Sequence, residues 1–178
     1  MVNEIINGIV AVLENVDQND LNSAVSIIDK KKRVFVAGAG RSGLQGKGFG
    51  MRLMHIGYEV YIVGETITPA MHAGDILVAI SGSGTTEKVL HVVKKAKALN
   101  ATIIGVTSKR DSTLGEIADI TICVPGASRK DKKAKSIQLL STLFDQTTHI
   151  VLDELALKIA DRDGTTNDFA KTMHSNVE

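Results

Sequence analysis

The chain is short of several things, and each shortage excludes something. Cysteine occurs once in 178 residues, as Cys123 inside the apolar run ITICVP, so no intrachain disulfide forms and a reducing compartment fits. His72 and His91 have no partners at metal-ligand spacing, and neither H-E-x-x-H nor a cysteine pair occurs, so no metal is expected. The net charge of only +1 offers no global basic field to nucleic acid or membranes. Aromatics, at 3%, are too few to interleave with a basic patch. No apolar stretch reaches the ~20 residues that span a bilayer. The opening MVNEIINGIVAVLENV lacks a basic leader and is interrupted by acids, so no signal peptide is expected and the default is a soluble, cytoplasmic protein. There are two prolines, no internal repeat and no low-complexity linker, which fits one domain with a substantial core.

What the chain does have is alternation. Ile5, Ile9, Val12 and Val16 recur at helical spacing over residues 4–17, and Asp20 opens a second helix to about Lys30. Five β-rich runs follow, at 33–38, 58–63, 75–81, 101–108 and 119–124, with helical stretches between them. Their continuous apolar character predicts strands buried on both faces, hence an α/β fold with a parallel sheet between helices. Residues 136–161 read as one long helix, apolar around much of its girth and therefore buried in the core or between subunits. The expected division is N-terminal helices over 1–32, an α/β core over 33–160 and a tail over 161–178. The run RKDKKAK (129–135), five cations against Asp131, reads as a solvated loop or as a source of positive potential beside an anionic substrate.

Two junctions carry the chemistry. RVFVAGAGRSG runs from strand into Gly38-Ala39-Gly40-Arg41-Ser42-Gly43, which fits the dinucleotide pattern G-x-G-x-x-G. DILVAISGSGTTEKVL repeats the layout with Ser81-Gly82-Ser83-Gly84-Thr85-Thr86. Glycines let a backbone approach closely, and the N–H groups that open a helix face an anion. Four hydroxyls in six residues add donors for a terminal phosphate. Glu65 lies at acceptable spacing to grip a ribose, but dinucleotide binding leaves the second loop without a task.

The segments GAGRSG, MRLMHIGYEVYIVGETITP, SGSGTTE and MHSNVE together resemble the 6-phospho-3-hexuloisomerases, members of the sugar isomerase (SIS) fold, over nearly the whole chain. The resemblance implies a single domain with a five-stranded parallel sheet in a flavodoxin-like three-layer sandwich, assembled as a homotetramer. It implies interconversion of 3-hexulose 6-phosphate and fructose 6-phosphate in the ribulose monophosphate route of formaldehyde fixation, without metal or organic cofactor. It places the phosphate on Ser81, Gly82, Ser83, Gly84, Thr85 and Thr86 and the sugar against Ser42. No nucleic acid or membrane partner is implied.

The family pattern QPMGSLFEQ at the long helix reads QLLSTLFDQ here, so Asp145 stands at the position of the proton-transferring glutamate. Its reach is shorter by one methylene, roughly 1.5 Å. Moving a carbonyl from C3 to C2 takes a proton from C2 and returns one to C3 through an enediolate, which one carboxylate can do. A second group must serve the oxygens, and His174 in the tail matches the family, in its own subunit or a neighbour's. His149, four residues after Asp145, is a rival read as structural or interfacial. Arg41 is a candidate to add charge near the phosphate, and Arg52 shares a helical face with His55 that either lines the pocket or packs. Gly46, Gly48 and Gly50 replace the family's alanine or serine, read as drift tolerated by tight packing. Two other functions stay open: another aldose–ketose phosphate isomerase, such as one acting on arabinose 5-phosphate, and a non-catalytic sugar-phosphate-binding module. Residues before the first strand are too few for the DNA-binding domain that such regulators carry.

Overall fold

In the computed structural model, which describes residues 1–125 and 136–177, seven helices surround a parallel sheet. The order is α1 (Val2–Leu13), α2 (Gln18–Ile27), β1 (Val34–Gly38), α3 (Gly40–His55), β2 (Val60–Ile62), β3 (Ile76–Ile80), α4 (Glu87–Ala98), β4 (Thr102–Thr107), α5 (Thr113–Ile117), β5 (Ile120–Cys123), α6 (Thr142–Asp163) and α7 (Asn167–Thr172). All strand pairs are parallel in the order β2-β1-β3-β4-β5. Among the described residues no helix is long and apolar enough to cross a membrane.

The side-chain alternation of a strand sorts the sheet into two cores. Val34, Val36, Ile76, Val78, Ile80, Ile104 and Val106 face a layer with residues of α1, α2, α3 and α6. Phe35, Ala37, Leu77, Ala79 and Ile103 face α4 and α5 on the other side. This is the three-layer arrangement expected. Glycines bring α3 close to the sheet: a Cβ on Gly46 would lie 3.0 Å from Val36 Cγ1, and one on Gly50 2.8 Å from Ile62 Cδ1. Gly48 faces outward and would meet only His149, at 3.9 Å. Packing therefore explains two of the three glycines.

The chain departs from expectation around α6. The helix begins at Thr142, not Ser136, because Leu140 takes a left-handed φ of 55° that no right-handed helix accommodates. It runs past residue 160 to Asp163, where Gly164 caps it in the left-handed conformation. The expected tail contains a further helix: Thr166 accepts from the Phe169 amide at 3.2 Å and opens α7. The basic run 129–135 lies outside the described residues.

Candidate active site

The strand order reverses direction between β1 and β3, and in an open parallel sheet ligands bind at such a switch point, beyond the carboxyl ends of the strands. Both glycine loops sit there, one after each of these strands. In the first, Gly38 and Gly43 press together, and a Cβ on Gly38 would come within 2.8 Å of Gly43 Cα. Gly40 turns the chain with a φ of 58°. The result is a tight corner that puts Ser42 in the first turn of α3.

The second loop closes on itself. Ser81 Oγ and Thr86 Oγ1 share a hydrogen bond of 2.8 Å, and the Gly84 amide donates to the Ser81 carbonyl at 2.9 Å. Thr85 donates to Ser83 Oγ through both its amide and its hydroxyl. Thr86 makes no side-chain cap and takes the Val89 amide on its carbonyl at 3.0 Å, so the first two N–H groups of α4, those of Glu87 and Lys88, stay unclaimed by the capping residue beside the loop. Residues that the sequence reading missed hold this loop from behind. Ser108 donates to the Gly82 carbonyl from its amide and its hydroxyl, and the Leu114 amide donates to that of Gly84.

α6 delivers the carboxylate. A Cβ on Gly82 would touch Phe144 Cδ1 at 3.0 Å, so the second loop rests directly on the turn that carries Asp145. Asp145 is fully buried. Its Oδ1 accepts from Ser42 Oγ at 2.7 Å, and its Oδ2 accepts from Ser141 Oγ at 3.1 Å. The half-exposed Arg41 donates to Thr142 Oγ1 at 3.0 Å and places its Nε 3.8 Å from Asp145 Oδ2. Ser42, Arg41, Asp145 and the Ser81–Thr86 loop thus converge from three elements. Ser141 went unnoticed although its place four residues before Asp145 was a usable signal, since groups at that spacing meet on one helix face.

Arg52 and His174 are not brought to this site within one chain. The His174 ring stacks on His55, with centroids 5.2 Å apart and planes 16° from parallel. His55 ends α3, thirteen residues beyond Ser42, which puts the pair about 20 Å from it along the helix. Arg52, His55, Lys171 and His174 line a cavity of about 430 Å³ there. Burial, with Arg52 and His174 adding to it, lowers the pKa of His55 below the ordinary histidine value. His149 is exposed and faces Asp153 at 3.4 Å. Glu65, which a ribose would need, pairs with Lys47 at 2.5 Å. Among the described residues, no three His, Cys, Asp or Glu side chains stand together as metal ligands would.

Two loops at the switch point of a five-stranded parallel sheet define an α/β protein with a ligand site at the carboxyl ends of its strands, and the comparisons give its family. The SIS domain matches residues 27–150. The chain belongs to the SIS-domain family and, within it, to the 3-hexulose-6-phosphate isomerases. It is 35% identical to the 3-hexulose-6-phosphate isomerase of Bacillus subtilis over 99% of this chain and 97% of that one. It is 43% identical to the enzyme so named in Methanocaldococcus jannaschii, over 82% and 77% of the two chains. Among solved structures it matches a Methanococcus jannaschii protein, whose 2.0 Å crystal structure was reported to infer a 3-hexulose-6-phosphate isomerase function, with a TM-score of 0.85 and 37% identity over 99% and 98% of the chains.

Proposed function

We propose that the protein interconverts 3-hexulose 6-phosphate and fructose 6-phosphate. The observation that carries this is the near full-length match to enzymes of that name; the geometry supplies a chemistry for it. The Ser81–Thr86 loop and the start of α4 hold the phosphate with hydroxyls and amides. The sugar lies across Ser42. Asp145 takes the C2 proton and returns it to C3, and the enediolate between these steps is stabilised by donors aimed at its oxygens. Because Asp145 is enclosed, a sugar hydroxyl must first displace Ser42 from Oδ1 to open a path to the carboxylate.

His174 serves the oxygens of a neighbouring subunit's site, since it stands too far from Asp145 of its own chain. This reading requires self-association, for which a homotetramer is the assembly proposed, and the outer face of the α3–α6 pair, which exposes Leu44, Met51, Ile150 and Leu157, is a suitable surface for it. The enzyme works in the cytoplasm, in the ribulose monophosphate route.

The test is fructose 6-phosphate formation from freshly generated 3-hexulose 6-phosphate. Turnover is expected, and Asp145→Asn should lower kcat by at least about 10²-fold while fructose 6-phosphate still binds. Saturable binding without turnover by the wild type would leave a sugar-phosphate-binding protein and remove the isomerase. Deleting residues 173–178 should lower kcat; unchanged kinetics would eliminate His174.

A further inference from the structure

We propose that Ser141 is a positioning residue for this reaction, and that the site is built around the shorter carboxylate through the pair Ser141–Asp145. The inference rests on the isomerase reading above and adds a residue to its machinery.

A serine at the N-cap of a helix ordinarily accepts a hydrogen bond from an amide two or three residues on. Ser141 occupies that position before α6 but makes no such bond, and its backbone, at φ −96° and ψ 17°, lies outside the extended region that capping uses. Its hydroxyl is turned instead to Asp145 Oδ2. Ser42 takes the other oxygen. Each carboxylate oxygen of a fully buried side chain is therefore held by one hydroxyl, from two different elements. Once a sugar displaces Ser42, Ser141 is the hydroxyl left to orient the carboxylate. Placement at that moment matters, because an error of about 1 Å in a reacting group costs about 10²-fold in rate.

The two side chains also share one space. Ser141 Oγ stands 3.1 Å from Asp145 Oδ2 and Ser42 Oγ 2.7 Å from Oδ1, so the carboxylate has a hydroxyl against each oxygen. A glutamate at 145 would drive its carboxylate roughly 1.5 Å farther, into hydroxyls already at bonding distance. Deleting the Ser141 side chain reopens that room. The two positions are therefore coupled.

The experiment is a double-mutant cycle on the full chain, with kcat, KM and melting temperature measured for wild type, S141G, D145E and S141G/D145E, and with S141T as the hydroxyl-retaining control. Asp145→Glu should lower kcat about 100-fold, as a misplaced base does. Ser141→Gly should lower it about tenfold, the loss of one hydrogen bond to a charged group. The double variant should recover at least about tenfold over Asp145→Glu alone, a coupling expected only of side chains in contact. KM should stay within about twofold throughout, because the phosphate loop is untouched. Ser141→Thr should keep most of the wild-type kcat, which guards against a folding defect in the glycine variants. Kinetic effects that simply multiply would overturn the pairing. A Ser141→Gly variant that loses melting temperature but not kcat would reduce Ser141 to structure. If the wild type itself shows no turnover, the functional reading falls and takes the inference with it; turnover with independent variants overturns the inference alone.

Discussion

At the amino-terminal end of the sheet, Arg33 reaches from β1 to Asp75 before β3 with two hydrogen bonds, of 3.1 and 2.6 Å, and Lys97 pairs with Asp119, whose other oxygen takes the Ile103 amide. Below β2, Arg162 donates to the carbonyls of Val25 and Ile28 and to Tyr58, while Tyr58 donates to Asp163. The carboxyl-terminal end beside β1 and β3 is made differently. Glycines set its turns, and hydroxyls bond to one another and to Asp145. Ion pairs fasten backbone ends without needing an exact backbone path. A ligand cradle needs the reverse: a fixed backbone, and donors not already committed to opposite charges. The glycine and hydroxyl turns are confined to the carboxyl-terminal end of β1 and β3, where the ion pairs present, Arg41 with Asp145 and Lys47 with Glu65, join side chains alone.

That contrast can be broken most severely at Gly84. Its φ is 63°, and a Cβ there would fall 2.0 Å from Ser112 Oγ. Gly84→Ala should destabilise the protein by about 3 kcal/mol and abolish sugar-phosphate binding, as strain and overpacking combine. Chemical denaturation and a binding titration would check both. Next comes the fastened end. Arg162→Ala strips two carbonyls at the end of α2 of their donor and should cost about 2 kcal/mol with kcat nearly unchanged. A fall in kcat alongside stability would show that the two ends are not independent.

A smaller effect is expected at Ser83, a hydroxyl of the proposed phosphate loop. Ser83→Ala should raise KM about fivefold through loss of one hydrogen bond and leave kcat alone. Unchanged KM would remove it from the phosphate site. Gly48→Ala, on the open face of α3, should stabilise by up to about 1 kcal/mol, since nothing but His149 lies nearby.

The mildest test uses pH. His55 has a folded pKa below its ordinary value of 6.5, chiefly through burial, so the unfolded chain binds the proton first as pH falls. Stability should be complete above about 6.5 and decline as pH drops from there through the folded value. Asp163 acts lower on the scale. Burial opposes its charge, but hydrogen bonds from Tyr58 and Arg162 outweigh that and hold its pKa below 3.8, so its contribution is lost only in stronger acid. Melting temperatures of wild type and His55→Asn between pH 5 and 7 should converge at the acid end; parallel curves would remove His55 as the source.

Much of this was legible from one dimension. The β-runs and their unbroken apolar character predicted the buried parallel sheet, because a strand covered on both faces cannot alternate with polar residues. The two Gly/Ser junctions were visible because left-handed turns and close backbone approaches leave few residue choices. Asp145 stood out through its family pattern. The start of α6 was not legible: residues 136–141 are apolar enough to read as helix, but Leu140 is left-handed and Ser141, at φ −96° and ψ 17°, is not helical either.

By itself the sequence determined the layer order and the positions of both loops, since these follow from local periodicity and residue chemistry, while the acid at 145 was pointed to by the resemblance to a family. Only the tertiary structure decided that Ser42 meets that acid, and that His174 stacks on His55 rather than facing Asp145. Both pairings join residues more than a hundred positions apart, and their geometry depends on how α3 docks against α6 and against the segment that follows α7, which no local pattern encodes.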